Sequence, residues 1–424
     1  MAQSDRPVHA LTVNLLETYK KVNELYYAEK GWAQQQQSKP RAHDDQNHNL
    51  IACPNDILGN RYVVKSFLGR GSFGQVLKCE DKKTGEEVAV KVIKSPQIFL
   101  RQGRIELDIL HRLRDNDTSD AGRYCIKVLE SFMHQDHLCI VTELLSYSLY
   151  DLLKSTSHKG VSLKLLRRFG IQILKCLEYI GSEKINIIHC DLKPENVLLR
   201  SENTSGVKVI DFGSSCETHQ TMYTYIQSRF YRAPEVILRL PYGKAIDIWS
   251  LGAILVEMHT GHPLFLGTNE AHQLGAIVEV LGYPPAKMLE RSPKLYKYFV
   301  HARDTVDEGS AEGATITRQH ARGIHEDPSG LSRHASDVYY LSPQVVAKFK
   351  HSPMQRQLEA ILNANNGGPR GRYKTSDDGF KPGHTPHDYA LFMDFISRVF
   401  VYEPSERITP AEALKHPFFA QADD

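Results

Sequence analysis

Residues 189–196 read His-Cys-Asp-Leu-Lys-Pro-Glu-Asn, and Asp211-Phe212-Gly213 begins fifteen residues after Asn196. Phosphoryl transfer needs a carboxylate beside the attacking hydroxyl, and carboxylate or amide oxygens on a magnesium ion. Asp191 fits the first task; Asn196 and Asp211 fit the second. Lys193, two residues past Asp191, brings a cation that can neutralise charge on the group in transit. Taken singly, Asp191 could be a turn residue and Asp211 a helix cap. Their order and spacing together fix at least eight positions, which makes the pattern specific.

Working outward toward the N-terminus, Gly69-Arg70-Gly71-Ser72-Phe73-Gly74-Gln75-Val76 lies between two expected strands. A dinucleotide-binding fingerprint would instead run straight into a helix. Glycines in a hairpin allow its backbone N–H groups to approach phosphates closely. Alternation predicts strands at Tyr62–Leu68, Gln75–Glu80, Val88–Lys94 and Leu138–Glu143, with a turn at Thr84-Gly85. Period two puts Ala89 and Lys91 on one face. An unpaired buried lysine is costly. Glu106 is its expected partner, on a helix over Gln102–Arg114 whose stripe includes Leu110 and Leu113. A snorkelling lysine and a solvated glutamate are the alternative for each residue alone.

Toward the C-terminus, Ala233-Pro234-Glu235 closes the segment opened by Asp211, and Arg407 is the expected buried partner of Glu235. Ala245–Met258 reads as a buried helix stopped by Gly261-His262-Pro263. Asp247 inside it needs donors, and likeness to protein kinases implies that the backbone near His189 supplies them. The whole pattern predicts an α+β, bilobal protein kinase fold: a β-rich N-lobe over 61–145 and a mainly helical C-lobe over 146–420. A long insertion near 301–385 is expected to be helical at Ser342–Leu362 and looped elsewhere. Residues 1–60 form an extension with a helical period over Leu11–Tyr27, then a mobile polar linker through Gln34–Gln37 and Arg41–Asn49.

Composition narrows the class. The 424 residues carry a formal net charge of +2, 41% hydrophobic and 24% charged residues. That is ordinary for a globular protein, and so near neutrality that neither nucleic acid nor membrane is an expected partner. Seven scattered cysteines without a Cys-x-x-Cys pair suggest neither a disulfide framework nor a zinc site. There is no apolar signal core at the N-terminus and no run approaching a spanning helix. A soluble monomer in the cytoplasm, the nucleus or both is expected.

Tyr223-Thr-Tyr225-Ile-Gln-Ser-Arg229-Phe-Tyr-Arg232-Ala-Pro-Glu235 resembles the activation segment of the DYRK family of dual-specificity kinases. His-Cys-Asp at 189–191, where most kinases carry His-Arg-Asp, and Asp-Phe-Gly-Ser-Ser-Cys at 211–216 are also that family's form. Residues 144–153 and 254–261 are similar to its minibrain-like (class 1) branch, as are 11–20 and 23–28 ahead of the kinase domain.

The resemblance implies transfer of the ATP γ-phosphate, with Mg²⁺, to Ser and Thr of protein substrates. ATP would be bound by Leu68, Gly69, Gly71, Ser72, Phe73, Gly74, Val76, Ala89, Lys91, Glu143 and Leu145. Catalysis would use Lys91, Glu106, Asp191 and Lys193, with Asn196 and Asp211 on the metal. The chain would autophosphorylate Tyr225, with Arg229 and Arg232 clamping the phosphate. With Cys190 in place of the usual phosphate-sensing arginine, activity would be constitutive after that single event. The family favours Arg before and Pro after the target residue, and Glu195 is the candidate for attracting that Arg.

Three departures or open questions follow from the resemblance. Thr142 occupies the gatekeeper position where the family usually has Phe, which would open the pocket behind the adenine. The 301–385 insertion lacks the basic stretch of some relatives. Cys190 and Cys216 would lie close enough for a redox-sensitive disulfide. A non-catalytic scaffold and another proline-directed kinase are the remaining alternatives; the complete catalytic set disfavours the first, and Cys190 with Tyr223 the second.

Overall fold

Alternating valines decide the first half of the structure. In the computed structural model, which describes residues 43–117, 121–219, 221, 225–301, 339–342, 345 and 352–420, six antiparallel strands form one sheet. They are β1 (Ile57–Leu58), β2 (Tyr62–Arg70), β3 (Gly74–Asp81), β4 (Glu87–Ile93), β5 (Val128–His134) and β6 (His137–Glu143), in the order β1-β2-β3-β4-β6-β5. Val88, Val90 and Val92 of β4 bury one face against Tyr62, Val64, Leu77 and Cys79. The period of two sends Ala89 and Lys91 to the other face. Helix α1 (Gln97–Asp115) follows β4 and begins five residues before the expected start.

The expected polar linker is a structured element where it is described. Leu50 and Leu58 are buried in the sheet's core. Asp45 accepts from the backbone N–H of Asn47 (2.8 Å) and Asn49 (2.9 Å), closing a tight turn. The buried Asp44 carboxylate meets His137 Nε2 at 2.9 Å, while His137 Nδ1 lies 2.7 Å from Ile93 O. Hydrophilic composition suggested mobility here, but these polar side chains are spent on the protein's own backbone and a buried histidine. The Leu11–Tyr27 period, Gln34–Gln37, Tyr223 and most of 301–385 lie outside the described residues.

The chain divides into two units, one of residues 1–109 and 128–144 and the other of 110–127 and 145–424. The last six of the 19 residues of α1, 110–115, thus belong with the second unit, which a boundary drawn at residue 145 does not capture. That unit is mainly helical. Helix α2 (Leu149–Ser155) starts with a capping box between Ser148 and Asp151. Helix α3 (Leu163–Ile180) is capped by Ser162, and α4 (Pro234–Ile237) is one short turn. Helix α5 (Ala245–Thr260) is buried on all sides. It ends at Gly261, whose φ is +89°, and a Cβ there would fall 1.9 Å from His158 O, so no side chain fits. Helix α6 (Glu270–Leu281) begins at the Asn269 cap.

Small antiparallel pairs carry the functional loops of this unit. β7 (Ile187–Ile188) pairs with β10 (Cys216–Glu217), and β8 (Val197–Leu199) with β9 (Val207–Val209). Of the helix expected over 342–362, only Leu358–Leu362 is helical among residues 352–362. Pro353 at its centre denies the helix a donor and disfavours the α conformation of Ser352.

Candidate active site

In the N-terminal unit, β4 and α1 bring together the two charges that sequence spacing suggested. Lys91 Nζ donates to Glu106 Oε1 at 2.6 Å and Oε2 at 2.9 Å. The glutamate side chain is 5% exposed and the lysine 19%, so the pair is dry on one side and accessible on the other. The β2–β3 hairpin carries the glycines. A Cβ on Gly69 or Gly71 would meet nothing within 4 Å, whereas one on Gly74 would fall 2.1 Å from Val92 O. Gly74 is therefore required by strand packing, and Gly69 and Gly71 keep the space over the hairpin open. Thr142 pairs with Ala89 across β4 and β6, and Glu143 with Val88.

In the C-terminal unit, Asp247 of α5 holds the 189–191 loop. Its Oδ2 accepts from His189 N (2.7 Å) and its Oδ1 from Cys190 N (3.0 Å). Burial pushes this carboxyl up, while His189 and the two backbone donors oppose the shift. Both oxygens are thus occupied, and Cys190 is held at φ +65°, a left-handed conformation uncommon for a residue with a Cβ. His189 Nε2 lies 3.0 Å from Ile210 O and therefore donates, leaving Nδ1 to accept from Asp191 N (3.3 Å). The imidazole edge packs on the fully buried Phe212 ring, with 5.1 Å between centroids. Asp211, just before it, is also left-handed at φ +63°. Strain of this kind gathers at functional loops.

Asp191 is oriented from three directions. Its Oδ2 accepts from Lys193 Nζ (2.6 Å), and its Oδ1 from Ser228 N (3.0 Å) and Ser228 Oγ (2.7 Å). Lys193 also donates to Ser228 Oγ at 3.2 Å. Asn196 Nδ2 donates to Asp191 O at 2.9 Å, which leaves its carboxamide oxygen as the atom suited to a cation. That oxygen and the Asp211 carboxylate are the hard donors magnesium prefers, so the residue types fit the metal.

Sequence reasoning missed Ser228 and Gln227, although both stand inside the quoted Tyr223–Glu235 run. Gln227 is buried at φ +62°. Its backbone N donates to Cys190 O (2.9 Å), and its side chain accepts from Ala233 N (2.9 Å) and donates to Ile246 O (3.0 Å) and Ser250 Oγ (2.8 Å). It ties the segment to the Cys190 loop. Periodicity gives no sign of such a role, which depends on three distant stretches meeting.

Downstream, Tyr225 is 54% exposed, with the Arg232 guanidinium carbon 4.1 Å from its ring centroid and that of Arg239 at 5.7 Å. Burial opposes the effect, but the nearby Arg232 and Arg229 guanidiniums hold the Tyr225 phenol below its ordinary pKa. Arg229 and Arg232, the two residues of the expected clamp, thus both act on the Tyr225 phenol. Arg239 was not anticipated, because it lies seven residues beyond Arg232 and after the Ala-Pro-Glu motif.

Glu235 and Arg407 form a bidentate pair at 2.8 and 3.1 Å with both side chains fully buried. Glu195 is exposed. Nearby, Glu257 is buried and accepts from Tyr231 OH at 2.7 Å; burial, with Glu195 adding to it against the Tyr231 hydrogen bond, pushes its carboxyl up to about 7. Glu257 is a second acidic group that the sequence reading did not single out. Cys190 and Cys216 are both free thiols, with 3.5 Å between sulfurs and no disulfide joining them.

The family profile described as Protein kinase domain matches residues 62–419. The chain is similar to serine/threonine-protein kinase ppk15 of Schizosaccharomyces pombe, with 39% identity over 435 aligned positions covering 98% of this chain and 74% of that protein. It is also similar to dual specificity tyrosine-phosphorylation-regulated kinase 2 of Drosophila melanogaster, with 41% identity over 376 positions. That match covers 89% of this chain but spans under half, 44%, of the fly protein. Among the described residues no helix is long and apolar enough to cross a membrane.

Proposed function

Because the chain belongs to the protein kinase family, we propose that it is a dual-specificity enzyme of the DYRK type, minibrain-like branch, which phosphorylates itself on Tyr225 and then Ser and Thr of other proteins. The observation that carries this reading is the placement of the Arg232 guanidinium 4.1 Å from the Tyr225 ring centroid, with Arg232 and Arg229 holding that phenol below its ordinary pKa. A phosphate on that hydroxyl would arrive where two guanidiniums already stand. The resemblance of both the activation segment and the fly relative's printed name supports the tyrosine step.

Each residue has a role in this reaction. Asp191, locked by Ser228 and Lys193, orients the substrate hydroxyl and receives its proton as that oxygen bonds to the γ-phosphorus and the bond to ADP breaks. Lys193 then turns to the transferring phosphoryl oxygens. Lys91, held by Glu106, binds nucleotide phosphate under the Gly69–Gly74 hairpin. Asn196 and Asp211 would hold Mg²⁺, which supplies charge neutralisation on the phosphates. Thr142 sets the depth of the adenine pocket. Glu195, reinforced by Glu257, favours substrates with an upstream arginine, and the preference for a following proline comes from the resemblance alone. Cys190 offers no guanidinium to sense a further phosphate, so activity persists after the single Tyr225 event.

The test uses the full chain expressed alone and mapped by mass spectrometry, with Asp191→Asn as control. Phosphate on Tyr225 in the wild type and none in the control is the expected result. Full activity of freshly made Tyr225→Phe protein would refute the reading.

A further inference from the structure

Arg239 has a conformation that calls for an explanation. It follows α4 at φ +58°, where a Cβ is disfavoured and glycine is the usual occupant. That backbone carries its guanidinium to Tyr225. Its Nη2 donates to Glu270 Oε1 at 2.9 Å and its Nη1 to Val236 O at 2.9 Å. The same Glu270 oxygen accepts from Arg232 Nη1 at 3.2 Å. One carboxylate oxygen, at the first position of α6, thus serves two guanidiniums beside the same tyrosine ring.

Among the described residues, further cations stand near Glu270 and Tyr225. Arg232 is buried and is also fixed by Ile226 O and Gln227 O, each at 2.8 Å. Arg229 Nε is buried with no hydrogen-bond partner among the described residues. Burial, with Lys294 and Arg239 adding to it, pushes the Lys297 ammonium down, although Glu270 pulls it up. Arg232 and Arg239 therefore share one glutamate, with Lys297 in its field and Arg229 acting on Tyr225, and a partly satisfied cluster of this kind suits a dianion.

We propose that Arg239 is a third phosphate ligand for Tyr225 and that Glu270 is a placeholder, holding Arg232 and Arg239 in position until the phosphate arrives. The inference rests on the Tyr225 reading above. Once the dianion is on Tyr225, Arg239 and Arg232 share their donors with it, and the phosphate is shielded from hydrolysis. The active form is then long-lived without any upstream kinase.

The experiment uses full-length protein with its Tyr225 phosphate quantified by mass spectrometry. The rate at which a tyrosine phosphatase removes that phosphate, and its second pKa from ³¹P shifts, are compared in wild type, Arg239→Gly, Arg239→Lys and Glu270→Gln. Glycine suits the backbone at φ +58°, so folding is preserved. Arg239→Gly should speed removal by about five- to tenfold, the factor one partly exposed charge-assisted hydrogen bond supports, and should raise the phosphate pKa. Arg239→Lys should fall between it and the wild type. Glu270→Gln should slow removal while lowering the melting point of the unphosphorylated form. Unchanged rates and ³¹P shifts in Arg239→Gly, with phosphate present on Tyr225, overturn the third-ligand role alone. Absence of phosphate from wild-type Tyr225 overturns the autophosphorylation reading and this inference together.

Discussion

Two buried glutamates in this chain each hold a cation, yet their surroundings differ. Glu235 and Arg407 are both completely buried. Arg407 spends its remaining donors on Ala245 O and Val401 O, and its guanidinium lies 5.1 Å from the Trp249 ring centroid. No hydrogen of that guanidinium is left to greet a ligand. Glu106 is as dry, but Lys91 is 19% exposed and has three rotatable protons shared between two carboxylate oxygens. The sealed pair holds the fold. The half-open pair keeps its cation on a side that solvent reaches.

Lys91→Met offers the sharpest way to break this distinction. Turnover on a peptide substrate should fall by about 10²–10³-fold, the cost of losing one preorganised donor at the phosphates. The melting temperature should move by only ~2–4 °C. A collapse of stability matching the loss of turnover would show that the two pairs do the same job.

Arg407→Met is the converse. It leaves Glu235 buried without its cation, which should cost about 3–5 kcal/mol in chemical denaturation. A change near zero would mean that the pair is as dispensable as a surface bridge.

Glu257 extends the comparison to a buried carboxylate with no cation bonded to it among the described residues. Burial, with Glu195 adding and the Tyr231 hydrogen bond opposing, raises it to about 7 from an ordinary 4.5. Its contribution to stability is therefore full below pH 4.5 and is lost as pH rises to about 7. Glu257→Gln should gain on the wild type between those limits, by on the order of 2–3 kcal/mol. Parallel stability curves for the two proteins would contradict the assignment.

The smallest effect is expected at the exposed Glu195. Glu195→Arg should weaken kcat/KM for Arg-containing peptides by about tenfold and leave Arg-free peptides nearly unchanged, as for one solvent-accessible charge pair. Equal losses on both peptides would remove Glu195 from substrate selection.

The legibility of these elements in the sequence varies for physical reasons. Lys91–Glu106 and Glu235–Arg407 could be anticipated because a charge on an apolar face demands a partner, and few candidates were available. Burial says only that Asp247 needs donors; the likeness to protein kinases is what points to the His189 backbone. Gln227 gives no such warning, since a polar side chain in a loop costs nothing until the loop is buried. The Arg41–Asn49 stretch misled because hydrophilic residues look alike whether they face water or, as Asp44 and Asp45 do, bond His137 and their own turn.

By itself the sequence determined the family and much of the order of strands and helices, and it put forward Asp191, Lys193, Asn196 and Asp211 as the catalytic set and Tyr225 as the tyrosine to test. These are local patterns, and spacing carries them. The tertiary structure alone decided that Ser228 and Lys193 lock Asp191, that Cys190 sits left-handed against Asp247 and Gln227, and that Arg239 and Glu270 stand beside Tyr225. Ser228 lies 37 residues from Asp191, Asp247 57 from Cys190 and Glu270 31 from Arg239, and no linear spacing encodes those meetings.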